Sequence, residues 1–206
     1  MPPVKVKICG ITRLDDALAA VRLGADALGF NFWPRSKRYL PPDRARAIVR
    51  RLPPFVTAVG VFVDPTRDEV LRALDASGVG VAQLHGDEPP ALCASLPLPV
   101  VKAVRLATSH DLAQLAAYDV QAFLLDAPSA GYGGSGTTCD WSLAAAVARE
   151  LPVVLAGGLS PDNVAEAVRT VRPWAVDVAS GVESAPGVKD EERMRRFIEQ
   201  AKEAVR

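Results

Sequence analysis

Two residues of the sequence, Cys9 and Asp126, have side chains that could exchange protons with a substrate, and each stands at the end of a short apolar run. Cys9 follows "VKVKI" (4–8), and Asp126 ends "AFLLD". A thiolate can act as a base, and a carboxyl group kept protonated by burial can act as an acid. Each residue also has an ordinary interpretation, since a thiol is commonly a core group and an aspartate commonly caps a helix or pairs with a cation. Together they predict an acid and a base on opposite sides of one substrate.

Two segments rich in small residues could bind an anion. "LAGGLSPDN" contains Gly157 and Gly158, and "VASGVESAPG" contains Ser180 and Gly181. Each segment lies between an apolar run and a predicted helix, so backbone amides and the positive end of a helix dipole would face the same point. The alternative is that the glycines only permit tight turns. Two such segments in succession favour a phosphate site.

The segment "NFWPRSKRYL" combines basic and aromatic side chains. It places Arg35, Lys37 and Arg38 beside Trp33 and Tyr39. An arginine can hold a planar carboxylate through two parallel hydrogen bonds, and aromatic rings can flank a flat ligand. The alternative is a solvated basic loop, and the segment by itself does not decide between the two.

Three further polar residues, Asp64, His85 and Arg105, follow apolar runs and are second-line candidates for the site. The stretch 127–139 consists mostly of small residues and is either a segment that covers a ligand or a flexible connection. It ends at Cys139, for which we expect a structural role because no base lies near it in the sequence.

The order of elements predicts how these candidates come together, because apolar runs alternate with amphipathic segments along the whole chain. The runs are 4–8, 27–32, 57–63, 79–84, 99–104, 120–126, 152–157 and 174–180. Most are almost continuously apolar, as is typical of parallel strands buried on both faces. Eight strand–helix units in 206 residues favour an α/β fold with a single (βα)8 TIM barrel over an open doubly wound sheet. The carboxyl ends of the strands in such a barrel carry the active site.

Cap residues predict where several helices begin. Thr12 is the expected N-cap of the first helix, and Ser160, followed by a proline in the first turn, is the expected N-cap of the seventh. Another helix is expected to begin at Asp140. We expect one domain, 1–206, because no change of composition or linker divides the chain.

The composition limits the classes of function. The chain has 24 basic and 24 acidic residues, so it lacks the positive excess that attracts nucleic acid. No apolar stretch approaches the roughly 20 residues of a membrane span and the N-terminus has no apolar signal segment, so we expect no membrane partner and a cytoplasmic location. Three widely spaced cysteines and two distant histidines predict reduced thiols, with neither a disulfide framework nor a metal centre.

Seven segments together resemble one enzyme family over the full chain. They are "KICGIT", "GFNFWPRSKRYL", "GVFVD", "VAQLHGDE", "LLDA…YGGSGTTCDW", "LAGGLSPDNV" and "VDVASGVESAPGVKD". The family is phosphoribosylanthranilate isomerase of tryptophan biosynthesis. The resemblance implies the (βα)8 barrel and an Amadori rearrangement of N-(5-phosphoribosyl)anthranilate to 1-(2-carboxyphenylamino)-1-deoxyribulose 5-phosphate. It also implies that neither a metal nor an organic cofactor is needed.

The resemblance implies roles for individual residues as well. Cys9, in "KICG", matches the general base of the family, and Asp126, in "LLD", matches its general acid. Arg38, in "SKRY", matches the arginine that holds the anthranilate carboxylate. The phosphate of this small-molecule substrate is expected against Gly157–Gly158 and Ser180–Gly181.

Two other functions remain open from the sequence. The sugar isomerase of histidine biosynthesis resembles the chain less, because it has an aspartate where this chain has Cys9 and needs a second phosphate loop that "LHGDEPP" does not provide. The other alternative is a barrel without catalytic activity that binds a phosphorylated metabolite and serves as an assembly partner. Whether the chain is a monomer or a homodimer also remains open.

Overall fold

Eight parallel strands close into a barrel in the computed structural model, which describes residues 3–105, 115–126 and 140–204. The strands are β1 (Lys5–Cys9), β2 (Ala27–Asn31), β3 (Thr57–Phe62), β4 (Val81–Leu84), β5 (Val100–Arg105), β6 (Ala122–Asp126), β7 (Val153–Leu155) and β8 (Ala175–Val178). Each strand pairs with the next one along the chain, and β8 pairs with β1. The predicted (βα)8 barrel is confirmed.

Seven helices are found in the part of the chain that the structure describes. They are α1 (Leu14–Arg22), α2 (Pro42–Val49), α3 (Arg67–Ser77), α4 (Pro90–Ser95), α5 (Trp141–Ala148), α6 (Val164–Val171) and α7 (Glu191–Glu203). Most of the helix predicted between the fifth and sixth strands lies outside the described residues. The same holds for the candidate covering segment 127–139 and for Cys139.

The predictions of helix starts were right at one position and wrong at two. Asp140 is the N-cap of α5, and its carboxylate accepts hydrogen bonds from two backbone amides of the first turn. Thr12 does not cap α1, because its hydroxyl donates to the carbonyl of Gly187 instead. Ser160 does not cap α6, which begins at Val164 after a separate hydrogen-bonded turn.

The alternation of side chains along the strands separates two layers. Large apolar residues such as Ile8, Phe30 and Leu84 point outward and pack in the main core under the helices. The inside of the barrel holds a separate cluster of mostly small residues: Ala103, Ala122, Leu124, Val154, Ala156 and Ala175. Buried polar side chains, among them Lys7 and Gln83, alternate with the outward-facing residues and therefore point into the barrel.

A short hairpin follows β8 at the carboxyl end of the barrel. A single 3-10 turn at residues 180–182 leads into β9 (Glu183–Ala185), which pairs in antiparallel fashion with β10 (Val188–Lys189). The hairpin brings side chains to the ends of β1 and β8, as described below. Within the described ranges, the helices are too short or too polar to cross a membrane.

Candidate active site

One cavity at the carboxyl ends of the strands brings together seven of the predicted site residues. They are Cys9, Arg38, His85, Asp126, Gly157, Gly158 and Ser180. Cys9 belongs to β1 and Asp126 to β6, and β7 and β8 lie between these strands in the ring. The thiol and the carboxyl group therefore face the cavity from different walls.

Cys9 lies beside a buried ion pair. Lys7, on the same face of β1, donates to Asp177 Oδ1 at 2.7 Å, and both side chains are buried. The two residues are also in register between β1 and β8. A Cβ on Gly29 would lie 2.8 Å from Cys9 Sγ and 3.2 Å from Lys7 Cε, so both side chains fill the space beside this glycine. The Lys7 side chain thus lies close to the thiol.

The charges around Cys9 act on its pKa in opposite directions. Burial raises the pKa of the thiol, and the negative charge of Asp177 adds to the increase, while Lys7 and Lys189 lower it without outweighing burial. Burial alone would lower the pKa of Lys7, but the negative charges of Asp177 and Cys9 raise it overall. The Cys9 thiol is therefore mostly protonated at neutral pH, with a lysine ammonium beside it.

Lys189 connects the ends of β1 and β8 to the hairpin. Its Nζ donates to the carbonyl oxygens of Cys9 at 2.6 Å and Ala179 at 3.1 Å, and to Glu183 Oε1 at 2.9 Å. The carboxylate of Glu183 also accepts two hydrogen bonds from Arg38, from Nε at 2.8 Å and from Nη2 at 2.7 Å. Burial alone would raise the pKa of Glu183, but these bonds to Arg38 and Lys189 lower it. Glu183 is therefore a fixed negative charge that orients Arg38.

Arg38 reaches the cavity over Gly10. Gly10 has a left-handed φ of 77°, and a Cβ at this position would overlap the side chain of Arg38. The other basic residues of the loop, Arg35 and Lys37, are exposed and do not border the cavity. Of the three predicted basic candidates, Arg38 is the one placed to contact a ligand.

Asp126 is the end of a chain of three hydrogen-bonded side chains. It is 7% exposed, and its Oδ2 lies 3.2 Å from His85 Nε2. On the other side of the imidazole, His85 Nδ1 lies 3.0 Å from Gln83 Nε2. With the Gln83 amide in this orientation its nitrogen donates to Nδ1, and this arrangement corresponds to the tautomer with the ring proton on Nε2, directed at Asp126.

The two predicted phosphate segments lie against each other. Gly157 and Gly158 have left-handed φ angles of 76° and 65°, which turn the chain after β7 along the cavity. Asn163 holds this turn, because its Oδ1 accepts from the Ser160 amide at 2.8 Å and its Nδ2 donates to the Gly158 carbonyl at 3.0 Å. Gly181 lies outside the cavity; a Cβ there would overlap a carbonyl oxygen of the first segment. It lets the two segments touch.

Asp64 braces the loop that carries His85. Its backbone φ is 47°, its Oδ1 accepts from the Asp87 amide at 2.7 Å, and its own amide donates to Glu88 Oε1 at 3.0 Å. Glu88 is in turn paired with Lys102 Nζ at 2.8 Å, and both side chains are buried. Asp64 therefore lies outside the cavity and shapes its edge.

Arg105 also lies outside the cavity. It is exposed at the end of β5, where strand pairing places its Cα beside that of Asp126. Among the residues that the structure describes, no three His, Cys, Asp or Glu side chains are grouped as metal ligands. A reaction without metal or cofactor stays a prediction.

Comparison with known proteins decides the family. The family model described as N-(5'-phosphoribosyl)anthranilate (PRA) isomerase matches residues 6–200. An N-(5'-phosphoribosyl)anthranilate isomerase from Geobacter sp. (strain M21) is 55% identical over 199 residues, which cover 96% of this chain and 98% of the relative. The chain belongs to the N-(5'-phosphoribosyl)anthranilate isomerase family.

Solved phosphoribosylanthranilate isomerases have the same barrel. The structure from Thermotoga maritima is 47% identical with a TM-score of 0.92, and the match covers 97% of this chain and 99% of that one. A second isomerase structure, in complex with reduced 1-(o-carboxyphenylamino)-1-deoxyribulose 5-phosphate, is 44% identical with a TM-score of 0.88 over the same shares of the two chains. The resemblance drawn from the seven sequence segments is confirmed.

Sequence reasoning missed five buried polar residues of this isomerase: Lys7, Gln83, Asp177, Glu183 and Lys189. Lys7 and Gln83 carried a usable signal, because each is a polar residue in an apolar run, two positions before a candidate residue and hence on the same strand face. Asp177 likewise interrupts the run of β8. Glu183 and Lys189 carried no such signal, because the hairpin that presents them has no recognisable strand pattern.

Proposed function

We propose that Cys9 is the general base and Asp126 the general acid of a phosphoribosylanthranilate isomerase reaction. As a member of this family, the chain is an aldose–ketose isomerase of tryptophan biosynthesis that rearranges N-(5'-phosphoribosyl)anthranilate. The observation that carries the assignment is that the thiol and the carboxyl group border one cavity from different walls. A base and an acid so placed can act on two atoms of one bound sugar.

The rearrangement requires one proton to be delivered and another to be removed. Protonation of the furanose ring oxygen by Asp126 opens the aminal to a protonated Schiff base, which makes the neighbouring C–H bond acidic. The thiolate of Cys9 removes that proton, and the resulting enolamine tautomerises to the ketone. Each positioned proton transfer typically contributes about 10²–10⁴ in rate.

The cavity can bind the substrate at both of its ends and so hold the sugar in place between them. Arg38, oriented by Glu183, would hold the anthranilate carboxylate, and the turn at Gly157–Gly158 together with Ser180 would hold the phosphate. Gly181 acts through the contact between the two phosphate segments. Fixing both ends reduces the motion of the sugar between base and acid, which is the usual contribution of substrate positioning.

Assembly and location are further predictions of the sequence. The chain is a monomer or a homodimer, and one solved structure, 43% identical with a TM-score of 0.88, shows generated monomers of the dimeric phosphoribosylanthranilate isomerase from Thermotoga maritima. We also expect a cytoplasmic location and no nucleic-acid or membrane partner, from the balanced charge and the lack of a long apolar stretch.

The function is tested by following the consumption of phosphoribosylanthranilate. The substrate is generated in place from anthranilate and phosphoribosyl pyrophosphate by the preceding enzyme, and its disappearance is followed with and without the purified chain. A metal chelator is added to one of two parallel series after the substrate has formed, so that it acts on the chain and not on substrate production. We expect rapid consumption that depends on the chain and proceeds equally with and without chelator, because proton transfer by side chains needs no metal.

The alternative functions give different results in the same assay. A chain that binds the substrate but does not consume it would be the metabolite-binding barrel, and the isomerase proposal would be wrong. Loss of activity with chelator would contradict the cofactor-free mechanism while leaving the reaction itself in place.

A further inference from the structure

We propose that His85 and Gln83 keep Asp126 supplied with a proton at neutral pH, so that the carboxyl group and the imidazole act as one proton-holding pair. The inference rests on the proposed role of Asp126 as the general acid and deepens it. His85 Nε2 lies 3.2 Å from Asp126 Oδ2, and Gln83 Nε2 lies 3.0 Å from His85 Nδ1. His85 acts through Asp126 and is therefore a positioning residue.

The reaction creates a need for such a pair, because an acid catalyst must carry its proton at the pH of the reaction. In water an aspartic acid loses its proton at about pH 3.9, whereas an imidazolium keeps its proton up to about pH 6.5. When two coupled groups share a proton, the titration belongs to the pair. A carboxyl group hydrogen-bonded to an imidazole therefore belongs to a pair that keeps one proton over the pH range of the imidazolium, and the ring can pass that proton to the carboxyl group.

Gln83 can accommodate both proton states of the imidazole. In the structure its amide nitrogen lies 3.0 Å from His85 Nδ1, to which it can donate when that nitrogen carries no proton. Its Oε1 has no hydrogen-bond partner within the described residues, although the side chain is only 1% exposed. A half-turn of the amide would bring Oε1 to Nδ1, where it would accept from the protonated ring. A buried carbonyl without a partner is costly, and the second proton state supplies that partner.

The proposed proton transfers from water through His85 and Asp126 to the substrate need no further reactant. A proton from water binds Nδ1 of His85 and gives the imidazolium. The Nε2–H bond then breaks, the proton moves to Oδ2 of Asp126, and the electron pair remains on Nε2. When the Oδ2–H bond breaks in turn, the proton passes to the furanose ring oxygen and leaves a carboxylate. The imidazole is then neutral, and exchange with water restores its Nε2–H form.

The surroundings of His85 single out Asp126 as its ionic partner. Among the residues that the structure describes, the charged or titratable groups on the neighbouring elements are Asp64, Asp87, Glu88, Lys102, Arg105, Tyr118 and Asp126. Glu88 and Lys102 are paired with each other at 2.8 Å, and Asp64 accepts from a backbone amide. Across the cavity lie Cys9, Arg38 and Asp177. Within ranges 3–105, 115–126 and 140–204, the carboxylate at hydrogen-bond distance from the imidazole is that of Asp126.

The test combines NMR titration with pH–rate profiles. The sequence contains two histidines, so the His110→Gln parent leaves His85 as the only imidazole, and the ¹⁵N shifts of its ring report the titration midpoint and the protonated nitrogen. The kcat/KM for phosphoribosylanthranilate is measured across pH in this parent and in His85→Gln. Glutamine retains an N–H donor for Asp126 but does not titrate.

The proposal predicts a change in the shape of the profile. In the parent, one midpoint of the rate profile coincides with the NMR midpoint of His85. In His85→Gln that midpoint moves to lower pH, and the rate at about pH 7.5 falls at least about tenfold, less than the roughly 10²–10⁴ of a whole acid–base contribution because Asp126 itself is retained. The deficit shrinks as the pH is lowered, because Asp126 then carries its proton without help. A deficit of the same size at every pH, or none, would overturn the proposal.

Two further variants separate this inference from the proposed function. Gln83→Leu removes the carbonyl acceptor for the protonated ring, so the NMR midpoint of His85 should fall; an unchanged midpoint would contradict the role of Gln83. Asp126→Asn should also lower that midpoint, and this readout requires no turnover. A parent that consumes no substrate would refute the isomerase function, whereas a His85 midpoint insensitive to Asp126→Asn would refute the pair.

Discussion

The base side and the acid side of the cavity differ in the groups that surround the titratable side chain. On the base side, β1 and β8 place the ion pair of Lys7 and Asp177 next to Cys9. On the acid side, β4 and β6 place an imidazole and an amide in line with Asp126. The base side has a buried ion pair next to its thiol, whereas the acid side has an imidazole, which can change its proton state, and an amide, which can donate or accept a hydrogen bond.

The difference follows from what each group must do with its proton. Burial raises the pKa of the Cys9 thiol, so nearby ammonium groups are needed to favour the thiolate. A carboxyl group that must hold a proton is served by a neighbour that can deliver one, as the imidazole of His85 can and the always-charged guanidinium of Arg105, the strand neighbour of Asp126, cannot. The buried lysine of β5, Lys102, faces the outer layer and is neutralised by Glu88. The two sides therefore differ in where their buried lysine lies: Lys7 is next to Cys9, whereas Lys102 does not face Asp126.

Among substitutions of the charged residues on the base side of the cavity, we expect the largest effect on kcat/KM at Arg38. Arg38→Ala should lower kcat/KM about 10- to 100-fold, mainly through KM, because a hydrogen bond between charged groups is typically worth about 1.5–3 kcal/mol. Steady-state kinetics with phosphoribosylanthranilate measures the effect. Arg35→Ala, an exposed arginine of the same loop, is the matched control and should behave like the unaltered chain. A loss confined to kcat at saturating substrate would contradict the anchoring role.

A smaller effect on the rate is expected at the ion pair beside Cys9. The direction in which the pKa of Cys9 changes can be tested. Removing the ammonium in Lys7→Met disfavours the thiolate and should raise the pKa of Cys9, whereas removing the carboxylate in Asp177→Asn should lower it. Alkylation of Cys9 across pH, followed by peptide mass spectrometry, measures both shifts. An increase of one pKa unit would lower the rate at neutral pH about tenfold in Lys7→Met.

Lys102→Met is the matched control for this experiment, because it removes an equally buried lysine that has a carboxylate partner in the other layer. Breaking either buried pair typically costs about 3–5 kcal/mol of stability. Only Lys7→Met should change the alkylation profile of Cys9. Shifts in the same direction in Lys7→Met and Asp177→Asn, or an equal shift in Lys102→Met, would attribute the effect to lost stability instead of charge.

Most of the fold could be predicted from the sequence because barrel strands are covered on both faces and therefore appear as continuous apolar runs. Local capping was less predictable. Thr12 has the side chain of a good N-cap, but its hydroxyl bonds to the carbonyl of Gly187 across the fold. Asn163 similarly holds a separate turn after Ser160, which delays the start of α6. Such tertiary contacts override the local preference of a side chain for the N-cap position, and the local sequence does not indicate them.

Part of the site could be predicted for the same reason, since residues at strand ends of a barrel must meet. The partners of these residues could not, because they lie far away in the chain. Arg38 is 145 residues from Glu183, and Lys189 is 180 residues from the Cys9 carbonyl that it contacts. Lys7 could have been predicted, because a lysine two positions before Cys9 in an apolar strand must lie on the same strand face as Cys9.

Cys9 and Asp126 carry the two proton transfers of the proposed reaction, and one set of rates tests both roles. Turnover of phosphoribosylanthranilate is measured for Cys9→Ala and Asp126→Asn beside Cys93→Ala, which removes a buried thiol of α4 away from the cavity. Circular dichroism verifies that each variant is folded. We expect Cys9→Ala and Asp126→Asn each to lose at least about a hundredfold in turnover, while Cys93→Ala stays close to the unaltered chain. A folded Cys9→Ala or Asp126→Asn variant with a near-normal rate would contradict the acid–base assignment.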